Sequence, residues 1–510
     1  MPVAVLHHAD VCIRDATARG GIQGPLCDFP HAFVLTSLPE AKGQGTLRGL
    51  RALALLKRLR TSVRGAVDAC TDGYVEGWAW DKKTPDLPVR VDILSDGIPI
   101  GTTVAQDYRE DLSAAGIGNG KHAFWFRLPA GVPPDGVQVR VAGTGVELPR
   151  STPAAVPEYR RLLLPLIDGG LWCIEDIGLD ASTLRFTGWA FHPTDVAAEL
   201  CTFLVNGRPC QVRQFPMPRP DIRRQFPHVR DSEMSGFRCS TEILPEDAGM
   251  FELAFGPTAA AHNQYFTVDA LPLPEPERRE RVHGSRDEST FRLEGFSAYR
   301  KLEKALALVG RTFDDCPRIL DWGCGCGRVA RYFGHGLHGV DIDADNIEWC
   351  RRNLPYGTFS TVPLHPDLAT PAEKFSLIIG ISVFTHLSED VMLEWLPWLS
   401  RMLDPDGGLA MVSVHSDFWW ARNPNMPQVA YDEWRSRGIL DRMTNTDLDP
   451  VLPPKDRSYY RTTFHTQEYL RAKWSPYFDI LEVLPGYIGN QQDLVIMQPK
   501  GGRASARAGL

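Results

Sequence analysis

A glycine-rich turn framed by two carboxylates carries the clearest chemistry in the sequence. The heptapeptide DWGCGCG at 321–327 follows a short apolar run, and Asp341 closes a second apolar run further along. Glycines allow a backbone to turn tightly and to approach a ligand closely. A strand, a glycine loop and a helix in this order form a nucleotide-binding unit, so we expect a helix to begin near Arg328.

The pattern of the turn discriminates between cofactors. A dinucleotide site has the spacing GxGxxG, in which a helix N-terminus faces a pyrophosphate. Here Arg328 stands in the place of the final glycine, and the carboxylate of Asp321 would repel a pyrophosphate. A cofactor with a cationic amino group is favoured instead. At the second strand end, Asp341 is placed to accept hydrogen bonds from ribose hydroxyls.

The elements around the turn alternate between helical and strand patterns from 291 to 500. Tyr299, Leu302, Leu306 and Val309 repeat at helical spacing, and Gly310 can close that helix. Another helix is predicted from Ser388. Strands are predicted at 318–320, 358–362, 375–382 and 409–414, with a late antiparallel pair at 478–483 and 493–497. The fold class predicted for this region is an α/β sheet of Rossmann-like type.

With these residues in place, the region resembles the class I S-adenosylmethionine-dependent methyltransferases. DWGCGCG is similar to their first glycine motif, GVDID to their ribose-binding strand and LDPDGG to the turn before strand five. A narrower resemblance is to a bacterial group with GCGCGR, SVFTHL and a late QDLV, here at 492–495. The resemblance implies a methyltransferase domain at 291–500, with S-adenosylmethionine as its cofactor.

The resemblance also implies roles for individual residues. The ribose would bind Asp341, and the adenine would contact Ile342 and either Asp367 or Leu368. Ile381 and Ser382 would lie under the sulfonium. The methionine part would be held by the glycine turn, at Asp321, Gly323, Cys324, Gly325 and Gly327.

Methyl transfer to a hydroxyl requires a base, and histidines are the candidates. His386 follows the fourth predicted strand, and His415 and His465 lie near later strand ends. We take His386 and His465 as catalytic candidates, with a locally bonded structural histidine as the alternative. The aromatic-rich segment 416–463 either covers the acceptor cleft as a lid or packs over the sheet.

The N-terminal half is β-rich and repeats itself. GWAW at 77–80 is matched by GWAF at 188–191, and three further landmarks recur at a shift of about 110 residues. We predict two β-sandwich-like modules, at 65–150 and 151–272. They resemble units joined to bacterial glycan-related transferases, which implies a glycan setting. Sugar stacking or core packing are the alternatives for four tryptophans, Trp78, Trp80, Trp125 and Trp189.

The remaining segments complete the predicted organisation. Residues 1–64 form a leader with a basic amphipathic helix at 46–60, suited to docking on a domain, a partner or an anionic membrane surface. Residues 273–290 have the composition of a linker, and 501–510 that of a disordered tail. No secretory signal or transmembrane run is expected, so the predicted compartment is the cytoplasm.

Composition narrows the function classes. The net charge of -8 argues against a nucleic-acid partner. The eleven cysteines lack zinc-site spacing and are expected to be reduced, and no metal is predicted. We expect O-methylation of a glycan or a related small hydroxyl acceptor. The alternatives are an inactive glycan-binding or scaffold protein and, less favoured, an aminopropyl-transferring synthase, since GISV at 380–383 offers no acidic polyamine pocket.

Overall fold

The computed structural model describes residues 62–151 and 170–502, apart from short gaps. The gaps are 71–73, 110–111, 114, 130, 193–201, 227–228, 257–258, 335, 367–373, 424–425, 446, 450 and 453–455. The predicted basic helix at 46–60 and the tail from 503 lie outside the described residues. The described residues divide into two compact units, one from 62 to 151 and one from 170 to 502.

The first unit consists of two antiparallel four-stranded sheets. Its strands are β1 Val63–Cys70, β2 Tyr74–Asp81, β3 Val89–Ser95, β4 Ile98–Ala105, β5 Asp107–Tyr108, β6 Lys121–Arg127, β7 Val137–Val141 and β8 Val146–Glu147. The strand orders are β1-β2-β6-β5 and β4-β3-β7-β8. Val89, Val91 and Ile93 are buried while Arg90 is exposed, which is the alternation of a strand with one face on a core.

The second unit begins with another β-rich segment. Its elements are β9 Leu171–Asp180, β10 Thr183–Phe191, β11 Thr202–Val205, β12 Arg208–Pro209, β13 Gln211–Met217, helix α1 Pro220–Gln225, β14 Gly236–Glu242, β15 Met250–Gly256 and β16 Gln264–Thr267. The sheets have the orders β9-β10-β14-β13 and β12-β11-β15-β16. The N-terminal half is therefore β-rich, as predicted.

The rest of the second unit alternates helices and strands. The helices are α2 Pro276–His283, α3 Glu288–Leu308, α4 Ala344–Asn353, α5 Glu389–Met402, α6 Asp417–Arg422, α7 Gln428–Arg437 and α8 Gln467–Trp474. The strands are β17 Ile319–Trp322, β18 Leu337–Asp341, β19 Thr358–Thr361, β20 Leu377–Gly380, β21 Leu409–Val414, β22 Ile439–Thr444, β23 Arg461–His465, β24 Phe478–Ile488 and β25 Gln492–Pro499.

Seven of these strands form one sheet, which positions the glycine turn. Its order is β19-β18-β17-β20-β21-β25-β24. The strands from β19 to β21 pair in parallel, while β25 runs antiparallel to both of its neighbours. The Rossmann-like sheet and its late antiparallel pair are therefore confirmed. Because β17, β18 and β20 are parallel neighbours, their carboxyl ends bring Asp321, Asp341 and Ile381 to one edge.

The helix predicted to begin at Arg328 is wrong. The chain there forms turns and one short 3-10 helix, Ala330–Tyr332, before β18. Gly334 and Gly336 disfavour a helix, and Gly336 has a φ of 91°. A Cβ at Gly336 would lie 2.4 Å from the backbone oxygen of Pro317, so the chain must turn closely back toward β17.

Packing joins the aromatic-rich segment to the second β-rich segment. Phe418, Trp420 and Trp434 are buried in one cluster with Trp189 and Phe226. This arrangement supports packing for most of the aromatic residues of segment 416–463. Among the described residues, no helix has both the length and the apolar character needed to cross a membrane.

Candidate functional site

The glycine turn is fixed to the neighbouring strand by its backbone. The N–H groups of Gly323 and Cys324 both donate to the carbonyl oxygen of Val340, at 2.8 and 3.0 Å. Gly323 and Gly325 have φ values of 75° and 53°. A Cβ on Gly325 would lie 2.9 Å from Val282 Cγ1, so glycine is needed both for its conformation and for this close approach.

Asp341 lies at the end of β18, beside the turn. Its Oδ2 accepts a hydrogen bond from the N–H of Gly325 at 2.7 Å, and its Oδ1 accepts one from Asp343 N–H at 2.8 Å. Each carboxylate oxygen retains a lone pair for a further donor. Burial raises the pKa of Asp341 to about 6, against the two backbone hydrogen bonds, which lower it.

Asp321 supplies the unpaired charge of the site. Its side chain is buried, and its Oδ2 has no hydrogen-bond partner within the described part of the chain. Burial, followed by repulsion from Asp341, raises the pKa of Asp321 to about 7. A buried carboxylate without a partner is costly unless a cation neutralises it. This oxygen therefore fits a cofactor with a cationic amino group.

A cavity with an empty volume of about 1040 Å³ brings most predicted site residues together. Its wall includes Asp321, Gly323, Cys324, Gly325, Asp341, Ile342, Ile381, Ser382 and His386. Gly327 lies behind the turn, where a Cβ would meet Leu354 at 2.5 Å, and it does not line this cavity. Asp367 and Leu368 lie outside the described residues.

Helix α2 supplies residues that the sequence interpretation missed. Val282 and Arg281 line the cavity, although the polar composition of 273–290 predicted only a linker. Arg281 forms an ion pair with Asp343 at 2.7 Å, and its Nε is buried without a hydrogen-bond partner within the described structure. An unpaired guanidinium N–H at this wall can bind an anionic group, such as the carboxylate of an amino acid.

Ser382 is held in a strained conformation by two distant residues. Its φ is 61°, a backbone angle that residues other than glycine rarely adopt. Its N–H donates to Ser413 Oγ at 2.7 Å, and its hydroxyl lies 3.0 Å from Gln492 Nε2. Gln492, the first residue of the motif QDLV, therefore lies at the site. Because Gln492 is far from Ser382 in the sequence, local spacing could not predict this contact.

The cavity beside the glycine turn is called the cofactor cavity below. His386 lines both this cavity and a second, wider cleft. Its Nδ1 lies 3.1 Å from the backbone oxygen of Arg461, and its ring stacks on Tyr460 with centroids 4.6 Å apart. A carbonyl only accepts, so Nδ1 carries the proton and Nε2 carries the lone pair. Burial lowers the pKa of His386 to about 4, which keeps the imidazole neutral.

The other two histidines occupy different places. His415 lines the wider cleft, and burial holds its pKa well below the usual range. His465 is completely buried, and neither of its ring nitrogens has a hydrogen-bond partner among the described residues. It lines neither the cofactor cavity nor the wider cleft, unlike His386.

The wider cleft has an empty volume of about 1890 Å³, and most of the residues that line it are polar or charged. It shares Arg281, Ser382, His386 and Tyr460 with the cofactor cavity. Arg328 also lines both cavities, and the other charged residues of the wider cleft are Glu277, Glu280, Glu294 and Asp447. Of the aromatic residues of segment 416–463, only Trp419 and Tyr460 are among those lining this cleft, so the segment contributes to it without covering it by a complete aromatic lid.

Comparison with known proteins agrees with this geometry. Residues 294–452 match the family described as "Methyltransferase domain". The C-terminal region is a methyltransferase domain. It is of the S-adenosylmethionine-dependent kind, and its cavity is lined by the buried Asp321 carboxylate, the Asp341 carboxylate at the end of β18 and the glycine turn.

One curated relative is the N-demethylindolmycin N-methyltransferase of Streptomyces griseus, 29% identical over 126 residues. The match covers 23% of this chain and 53% of that protein, so the chain spans about half the length of this relative.

Several solved structures are similar to the methyltransferase domain. A TehB-like S-adenosylmethionine-dependent methyltransferase from Corynebacterium glutamicum is 19% identical, with 40% of this chain and 97% of that chain covered and a TM-score of 0.24. The N-methyltransferase NodS from Bradyrhizobium japonicum, in complex with S-adenosyl-L-homocysteine, is 14% identical. It covers 44% and 99% of the two chains with a TM-score of 0.27.

Proposed function

We propose that this protein transfers the methyl group of S-adenosylmethionine to a hydroxyl of a polar acceptor, a glycan or a related small molecule. The observation that carries this proposal is the state of His386. Its Nδ1 lies 3.1 Å from the Arg461 carbonyl oxygen, so the lone pair is on Nε2, and the residue lines both the cofactor cavity and the wider cleft. A neutral imidazole at that place accepts a hydrogen bond from a hydroxyl.

The residues of the cavity have separable tasks in this proposal. Asp321 holds the cationic amino group, Asp341 accepts from the ribose hydroxyls, and Arg281 faces the carboxylate. Gly323, Cys324, Gly325 and Gly327 form the turn, Ile342 lines the adenine, and Ile381 and Ser382 support the sulfonium end. The cofactor supplies an activated methyl group, so the protein's contribution is mainly alignment of the acceptor and exclusion of water.

The basicity of His386 favours a hydroxyl over an ammonium acceptor. An ammonium must lose a proton before it attacks, and an imidazole with a pKa of about 4 is a poor match for that proton. A hydroxyl is neutral when it binds. As its oxygen forms the new bond to the methyl carbon and the bond from that carbon to the cofactor sulfur breaks, the oxygen becomes an oxonium, whose proton is acidic enough to pass to Nε2 of His386. His465 does not line the cleft, so the proposal assigns that task to His386.

A second candidate is methylation of an amine. It is favoured by the curated relative, which is named an N-methyltransferase, and by three glutamates on the wider cleft, Glu277, Glu280 and Glu294. Carboxylates attract a cationic acceptor and increase its rate of encounter. In this case a bound amine would have to reach His386 in its uncharged form.

The N-terminal half consists of two β-rich segments that share one architecture. The two β-rich segments have the same strand order in each of their sheets, counted from their first strands. Arg109 pairs with Asp68 on β1, and Arg219 pairs with Glu175 on β9. We infer that 65–150 and 151–272 are two copies of one β-sandwich module. Trp80 and Trp189 are buried, which favours core packing over sugar stacking for these two residues.

The test is a transfer assay with labelled S-adenosylmethionine and matched acceptor pairs. Each pair consists of a sugar and its amino-sugar counterpart, so that only the acceptor atom differs. Labelling of the hydroxyl compound supports the proposal, and labelling of the amine alone supports the second candidate. Cofactor binding without transfer to either class leaves the inactive glycan-binding or scaffold alternative.

A further inference from the structure

A third cavity lies within the second unit, between its β-rich segment and the methyltransferase domain. It is lined by Trp172 and Glu175 of β9, Trp189 of β10, Lys301 of α3 and Arg422 of α6. Its empty volume is about 1060 Å³. The predicted roles of the two β-rich modules and of the glycine turn leave this cavity unexplained.

Two cations of this cavity are held by one residue. Lys301 Nζ donates to Asn490 Oδ1 at 3.0 Å, and Arg422 donates to the backbone oxygen of Asn490. Arg422 also lies over the ring of Trp189, 5.7 Å from its centroid. Asn490 has a φ of 53°, so an uncommon backbone conformation brings the two positive charges together.

Neither cation is balanced by a carboxylate in the part of the chain that the structure describes. Lys301 is only 2% exposed, and burial together with the charge of Arg422 lowers its pKa to about 7. An ammonium has three donors, and Lys301 uses one of them on the Asn490 amide. Burying such a group without a counter-charge is costly.

The acidic residues of the cavity are already engaged with other cations. Glu175 accepts two hydrogen bonds from Arg219, at 2.7 and 2.8 Å. Glu294 accepts one from Arg328 at 2.8 Å and lies 3.0 Å from His283 Nδ1. Arg219 is itself shared between Glu175 and Asp221. Neither Glu175 nor Glu294 forms an ion pair with Lys301 or Arg422 among the described residues.

This cavity also shares a wall with the wider cleft. His283, Gly284, Glu294, Gly489 and Gln491 line both. The wider cleft, which His386 also lines, is therefore adjacent to the cavity that Lys301 and Arg422 line.

We propose that Lys301 and Arg422 bind an anionic group, a carboxylate or a phosphate, of the acceptor, which makes the substrate an elongated anionic molecule. The role as an acceptor subsite rests on the proposed function, whereas binding of the anion does not. Trp172 and Trp189 line the same cavity as buried residues, and Arg422 lies over the ring of Trp189.

The experiment is a calorimetric titration of the full chain with three probes, glucuronate, glucose and inorganic phosphate. Glucose is the neutral counterpart of glucuronate, so the pair isolates the carboxylate, and phosphate reports the other anion class. The variants are Lys301→Met, Arg422→Met and the control Lys304→Met. Lys304 is on the same helix, but it is half-exposed and is placed near Glu252. Each variant is also titrated with S-adenosylmethionine to show that the methyltransferase domain is folded.

The expected result is binding of glucuronate or phosphate but not of glucose. Loss of a charge-assisted contact should weaken that binding about tenfold or more in Lys301→Met and Arg422→Met, and not in Lys304→Met. Absence of binding by both anions overturns the proposal, as does equal anion binding by wild type and Lys301→Met. Because S-adenosylmethionine binding is measured separately, failure of the anion site is distinguishable from failure of the proposed function.

Discussion

The Nδ1 atom of His386 lies 3.1 Å from the backbone oxygen of Arg461, and this contact sets the proton on one side of the ring. The N–H of Arg461 in turn donates to the carbonyl of His386 at 2.7 Å. The ring is therefore fixed in position and in tautomer by the start of β23. A positioned neutral imidazole is well suited to receive a hydroxyl proton.

Replacement of His386 by Gln or Ala should lower kcat for a hydroxyl acceptor about 100-fold or more, because the proton acceptor is lost. The Kd for S-adenosylmethionine should change little, since the contacts proposed for the cofactor's amino group, carboxylate and ribose are made by Asp321, Arg281 and Asp341. The measurements are single-turnover transfer and calorimetry. The control is His365→Asn, because His365 is exposed and is paired with Glu394. Unchanged turnover in His386→Gln would remove His386 from the mechanism.

Affinity for S-adenosylmethionine should decrease as pH falls below about 7. The pKa values of Asp321 and Asp341 are raised to about 7 and about 6, so both carboxylates take up protons in this range. Asp321 then loses its attraction for the cationic amino group, and Asp341 becomes a weaker acceptor for the ribose hydroxyls. Binding above that range should be independent of these groups. Calorimetry in buffers of different ionisation enthalpy should show proton release near pH 6. The range from about pH 5 to about pH 8 includes both pKa values. An affinity for S-adenosylmethionine that does not change across this range would contradict the assignment of Asp321 and Asp341 to the cofactor site.

The same carboxyl group should make the protein without cofactor less stable as pH rises. The pKa of Asp321 is near 3.8 when unfolded and about 7 when folded, so the folded state binds more protons between these values. The free energy of unfolding then falls with increasing pH across that window. Asp321→Asn should reduce the dependence of unfolding free energy on pH and should weaken cofactor binding. At about pH 8, roughly one unit above the folded pKa, the variant should have a higher Tm than the wild type. A variant less stable than wild type there would show that the carboxylate is stabilised by other contacts.

Gly325→Ala should weaken cofactor binding and destabilise the fold. The new Cβ would lie 2.9 Å from Val282 and would occupy a left-handed conformation, with an expected cost of about 1–3 kcal/mol. The matched control is Gly310→Ala, where φ is 71° and a Cβ would meet nothing within 4 Å. Denaturant unfolding separates the two. If both variants lose equal stability, the backbone conformation and not the packing of α2 accounts for the effect.

The parts of the site that are close in sequence could be predicted from it. The proximity of Asp321, the glycines and Asp341 could be predicted because they lie at the ends of two successive strands. The carboxyl ends of neighbouring parallel strands meet at one edge of the sheet. Arg281, Tyr460 and Gln492 reach the cavities through tertiary packing of α2 and the late strands, and no local spacing indicates this. The helix predicted at Arg328 failed for a local reason, since Gly334 and Gly336 return the chain toward Pro317 after a single 3-10 turn.

The most direct test of the central claim is calorimetric titration of S-adenosylmethionine into the full chain and into Asp341→Ala. The protein should bind the cofactor at a single site, and the variant should bind it about 100-fold more weakly, because two hydrogen bonds to a charged acceptor are lost. Circular dichroism shows whether the variant is folded. No binding to folded wild type, or equal binding by wild type and Asp341→Ala, would contradict the assignment of this cavity as the cofactor site.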